Sequence, residues 1–88
     1  MNMSQLQQLK GQLSSLASDA KSTAGGLTSF KSKFSTAVSQ VNASIGGSAQ
    51  RTDQQIIATL QAAEKQLDAA VQALQQAAAT ASSYAESL

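Results

Sequence analysis

The stretch Leu60-Gln61-Ala62-Ala63-Glu64-Lys65-Gln66-Leu67-Asp68-Ala69-Ala70-Val71-Gln72-Ala73-Leu74 sets a leucine at every seventh residue, and three residues after each leucine stands an alanine, at 63, 70 and 77. Followed outward, one series reads Leu60, Leu67, Leu74, Ala81, Leu88 and the other Ile56, Ala63, Ala70, Ala77, Tyr84. Ile57, Val71, Ala78 and Ala85 lie beside them and widen the stripe. Apolar residues spaced three and four apart fall on one side of an α-helix, so this half of the chain predicts a long amphipathic helix.

The first half repeats the pattern. Leu6, Leu13, Ala20, Leu27, Phe34 and Val41 form a seven-residue series, and three residues after each come Leu9, Leu16, Thr23, Phe30, Ala37 and Ser44. The heptad is kept for six repeats, as in a coiled coil. Between the halves lies Ile45-Gly46-Gly47-Ser48, and the apolar series change phase across it. A glycine ends a helix readily because it adopts positive φ without a steric penalty, so a turn is expected at 45–47. Ser48 is the preferred cap of the second helix, with Thr52 a second candidate because Thr52-Asp53-Gln54-Gln55 fits a capping box. Ser4 with Gln7 makes a similar box at the start. The expected architecture is all-α: a single antiparallel two-helix hairpin over residues 1–88, helix one about 4–44 and helix two about 48–86. Gly25-Gly26 interrupts helix one at about 1 kcal/mol per glycine, yet the heptad runs through it in phase, which favours a kinked or locally soft helix over a three-helix bundle.

Composition narrows the chemistry. The 88 residues contain no His, Cys, Pro or Trp and only three aromatics. Without thiol or imidazole there are no zinc-finger sites, thiol redox centres, cysteine nucleophiles or Ser-His triads. Glu64 and Asp68 share a helical face with Lys65 and no histidine and read as a solvated face. Nothing supplies an oxyanion hole for the serines, and Gly46-Gly47 lacks the lysine and strand of a phosphate loop. Neither catalysis nor a cofactor or metal site is expected. The net charge of +1 and the scarcity of aromatics argue against nucleic acid. The charge is uneven, +3 over residues 1–50 and −2 over 51–88. No apolar run is long enough to span a bilayer, and the first residues lack the apolar core of a secretory signal, so a soluble chain is expected.

A lone hairpin leaves part of this stripe uncovered, because each helix has a neighbour on one side only. Pairing of two hairpins into a four-helix bundle is the expected solution. Residues expected to hold the pairing are Leu13, Leu16, Phe30, Phe34, Leu60, Leu67, Leu74 and Tyr84, with Leu13, Leu16, Leu60, Leu67 and Leu74 in the central seam.

Two helices of about forty residues around a central glycine turn resemble the WXG-motif family of small type VII secretion proteins, the early-secreted-antigen-like superfamily. Ile45-Gly46-Gly47 stands where that family has Trp-x-Gly, with Ile for Trp. Family members carry an export signal of Tyr and, four residues on, an acid; here Tyr84 is followed at that spacing by Leu88. The resemblance implies a non-catalytic substrate or targeting partner, secreted without a cleaved signal peptide or cytoplasmic before export. It would act as a homodimer or with another small helical hairpin protein, including one belonging to an LXG-type toxin. Two other readings stay open on the residues alone: a structural coiled-coil subunit or adaptor, and an amphipathic protein at a membrane surface. Truncation of a buried leucine costs roughly 2 to 5 kcal/mol, so Leu67→Ala is expected to lower the melting stability well beyond Gln61→Ala, measured by thermal denaturation of both variants.

Overall fold

The structure, a computed structural model, describes residues 2–46 and 51–88. Two helices, α1 over Met3–Ile45 and α2 over Arg51–Ser87, make up the fold. They run antiparallel as a hairpin 66 Å long and 18 by 13 Å across. The length is that of α1 itself, whose 43 residues at a rise of about 1.5 Å each account for it.

The helix ends differ from those read in the sequence. Asn2, not Ser4, caps α1: its backbone is extended, its side-chain oxygen accepts from the Gln5 amide at 2.8 Å, and the Gln5 side chain accepts from the Asn2 amide in return. Ser4 is already in the first turn. At the other end Ile45 belongs to the helix rather than to the turn, and Gly46 closes it, donating its amide to the Asn42 carbonyl at 3.1 Å. Gly46 has φ +65° and ψ −140°, a conformation essentially reserved for glycine. Gly47 and Ser48 lie outside the described residues. Thr52 lies inside α2, which already runs at Arg51, and so does not cap it.

α1 passes through Gly25-Gly26 unbroken, with the Thr28 hydroxyl donating to the Ala24 carbonyl just before the pair. A Cβ built on either glycine meets nothing within 4 Å. The packing of the hairpin therefore makes no use of their small size.

The seam between the helices is narrow. Ala17, Ala20, Ala24, Val38, Ala78 and Ala81 are buried, and no described side chain larger than valine is. Ala17, Ala20, Ala78 and Ala81 form one cluster, against which Leu13 and Leu74 pack. Writing the heptad a to g, α1 turns inward its d column of Leu6, Leu13, Ala20, Leu27 and Phe34, together with the a column four residues on from each: Lys10, Ala17, Ala24, Lys31 and Val38. In α2 the same two columns are Ile57, Glu64, Val71, Ala78, Ala85 and Leu60, Leu67, Leu74, Ala81, Leu88. The expected spacing was three residues and the observed one is four, which moves Leu16 out of the seam. The cause is steric: alanine in the a column lets the two backbones close, whereas leucine and phenylalanine in the neighbouring column would hold them apart.

Gly46→Val is expected to lower stability by about 1 to 3 kcal/mol, because valine cannot take the Gly46 conformation without strain. Gly25→Ala is expected to raise it by about 0.4 to 1 kcal/mol, since the site is helical and open. Ala78→Leu overfills the closest part of the seam and is expected to cost about 1 to 3 kcal/mol. Urea melts of the three variants check all three signs.

Candidate interaction face

Register across the hairpin is set by two polar contacts. The Ser35 hydroxyl donates to Glu64 Oε2 at 2.8 Å, and Lys31 forms an ion pair with Asp68. In both pairs the residue numbers sum to 99, so residue i of α1 stands level with about residue 99 minus i of α2. The sequence placed Glu64 on a solvated face; it is instead half-buried, while Asp68 is exposed. The sequence signal for this cluster was present but mute: Lys31 and Glu64 become seam positions only once the four-residue spacing is known.

These contacts also orient the two sides of the hairpin. Ser35 and Asp68 both occupy position e, and a groove lined by Lys31, Ser35, Gln61, Glu64, Lys65 and Asp68 runs along that side. Two further shallow hollows open on it, one by Lys10, Ser14 and Ser82, the other by Asn42, Ile45 and Gln54. In an antiparallel pair the e columns share one side and the g columns share the other.

The g side is the opposite in character. It carries Leu9, Leu16, Thr23, Phe30 and Ala37 from α1, and Ile56, Ala63, Ala70, Ala77 and Tyr84 from α2. Four of its five large members are exposed, Leu16 55%, Phe30 53%, Ile56 49% and Tyr84 51%, while Leu9 is half-buried. Phe30 stacks on the half-buried Phe34 with ring centroids 6.1 Å apart, which ties this face to the seam. Among the described charged residues only Asp19 and Lys33 flank the face, at the adjacent c positions; Lys10, Lys21, Lys31, Arg51, Asp53, Glu64, Lys65, Asp68 and Glu86 belong to the seam or the e side of the helical wheel.

Of the residues expected to hold the pairing, the structure brings Leu13, Phe34, Leu60, Leu67 and Leu74 into the seam between the two helices, half-buried, and sets Leu16, Phe30 and Tyr84 on the outer apolar face. Ile45 is half-buried at the turn end, beside Ile57. Among the described residues no three His, Cys, Asp or Glu side chains gather in a way that would hold a metal ion, and no helix is long and apolar enough to cross a membrane. Compared with protein-family models, with curated proteins and with solved structures, the chain gives no match.

The Lys31–Asp68 pair is a third to a half exposed, which keeps its contribution small. A double-mutant cycle of Lys31→Ala and Asp68→Ala is expected to give a coupling of about 0.2 to 1 kcal/mol that shrinks as salt is added. Chemical denaturation at low and high ionic strength measures it.

Proposed function

We propose that this hairpin is a non-catalytic pairing protein of a type VII secretion system, exported with, or helping to target, a partner that binds its g face. The observation that supports the reading is that face: four large apolar side chains, each about half exposed, aligned along one side of the hairpin and outside its own seam. Burying exposed apolar surface is the main source of association free energy, and a contiguous patch of this kind is what a protein partner covers. The lack of a lysine rim disfavours an anionic lipid surface as the occupant, since interfacial helices add cationic attraction to their apolar contact. The secretion context rests on the hairpin length, the central glycine turn and the resemblance of Ile45-Gly46-Gly47 to the Trp-x-Gly signature.

The test is co-export in a strain that carries a type VII system, with the hairpin and its neighbouring gene products expressed together. Phe30→Glu is expected to abolish co-export or partner capture while far-UV circular dichroism keeps its helical signal. Ile45→Ala is expected to reduce export more than it reduces stability. Unchanged export and unchanged partner capture in both variants would refute the reading.

A further inference from the structure

We infer that α1 carries a hinge at Gly25-Gly26, about which its turn-side segment, residues 27–45, swings away from α2 and opens the seam while the segment before the glycines stays clamped. The motion is independent of what covers the g face.

The two halves of the seam are built differently. Residues 3–26 and 73–88 form the terminal half, and residues 27–45 and 53–72 the turn half. Among the described residues, Ala17, Ala20, Ala24, Ala78 and Ala81 are buried in the terminal half, and Val38 alone in the turn half. Seam positions of the turn half include Lys31, Asp53 and Glu64, against Lys10 alone in the other. The apolar side chains beside them, Leu27, Phe34, Leu60 and Leu67, are only half-buried. Two of the three hollows, one beside Ser35 and one beside Ile45, open on this half. Sparse burial and access to water are the properties of a region that opens while its neighbour holds.

Gly25-Gly26 stands at the boundary between the halves. The pair occupies positions b and c, on the side of α1 turned away from α2, and a Cβ on either would meet nothing within 4 Å. A bend that carries residues 27–45 away from α2 compresses this outer side, where two missing side chains leave nothing to collide. The backbone ladder across the pair is weakened as well. The Thr28 hydroxyl donates to the Ala24 carbonyl at 2.9 Å, sharing the acceptor of the Thr28 amide, an arrangement that often bends helices. Thr36 and Thr59 make the same bond to Ser32 and Gln55, with no glycine between. At 24–28 the two weaknesses coincide.

A small bend is enough. At a rise of about 1.5 Å per residue, a bend of about 15° displaces Val38 by about 5 Å and Ile45 by about 7 Å, with both helices intact. The contacts that oppose it are those of the turn half, Ser35 with Glu64 and Lys31 with Asp68. They act as the latch of the hinge, and the ion pair, a third to a half exposed, yields readily.

Ala24 and Val38 allow a direct test. Both lie in the a column of α1 and both are buried, at 3% and 6% exposure, on opposite sides of the glycines. The chain has no cysteine, so Ala24→Cys and Val38→Cys each give a single thiol whose alkylation by iodoacetamide reads opening at its site. Val38→Cys is expected to react about tenfold faster than Ala24→Cys. Adding Gly25→Ala and Gly26→Ala is expected to bring its rate down to that of Ala24→Cys, and adding Lys31→Ala and Ser35→Ala to raise it while Ala24→Cys stays unchanged. In the unmodified chain, backbone amides 34–42 are expected to exchange as slowly as amides 17–24, because a hinge leaves the helical hydrogen bonds in place. Equal alkylation rates overturn the inference, as does a fast Val38→Cys that ignores the glycine substitutions. Fast exchange of amides 34–42 overturns it too, since the segment then unfolds rather than swings. Spin labels at exposed positions leave the seam untouched and cover the case in which Val38→Cys fails to fold. The distance distribution for Ser39→Cys with Ala58→Cys is expected to be broader than for Ser18→Cys with Ala79→Cys, and to narrow when both glycines become alanine; equal widths overturn the hinge.

Discussion

The width of the apolar stripe governs this molecule. Each helix carries three adjacent columns of apolar residues, at a, d and g of the heptad, and a two-helix seam covers two of them. The columns that go inside contain the buried alanines together with half-buried leucines and Phe34, and the column left outside contains Leu16, Phe30, Ile56 and Tyr84. The seam closes tightly where Ala17, Ala20, Ala78 and Ala81 meet, and four large side chains of the outer column stay about half exposed.

Close approach has a second effect on the polar groups. Because the backbones are near one another, polar side chains of the seam and of its e side reach each other across the hairpin, Ser35 with Glu64 and Lys31 with Asp68. The opposite net charges of the two halves thus become a real contact at one level of the hairpin, while most of the remaining charges stay on the same side and leave the g side almost neutral. One side of the hairpin is polar and grooved, the other apolar, and a chain of two helices acquires a definite front and back.

Much of this was legible in the residues. The all-α hairpin followed from heptads that persist through both halves and change phase at the glycines, a signal that averages over many residues and tolerates local exceptions such as Gly25-Gly26. The cap and the seam were not legible to the same degree. Ser4 and Asn2 are both good capping residues, and only the extended backbone of Asn2 distinguishes them. Series three and four residues apart differ by little in the sequence of a three-column stripe, so Leu16 and Ala17 compete for one place, and hydrophobicity favours the wrong one. The choice depends on how close two backbones can come, a quantity that appears only when both helices are set side by side.

A seam of heptad-spaced apolar columns has an inherent ambiguity, since sliding one helix by seven residues would again set apolar columns against each other. The polar pairs break that degeneracy. Moved by seven residues in either direction, Lys31 would stand level with Gln61 or Gln75, and Glu64 with Thr28 or Asn42, so the ion pair would be lost. Alignment of the helices is thus held from within their length as well as by the turn. A slipped hairpin would therefore forfeit both polar pairs at once, and the alignment is read out at mid-length as well as at the Gly46 end.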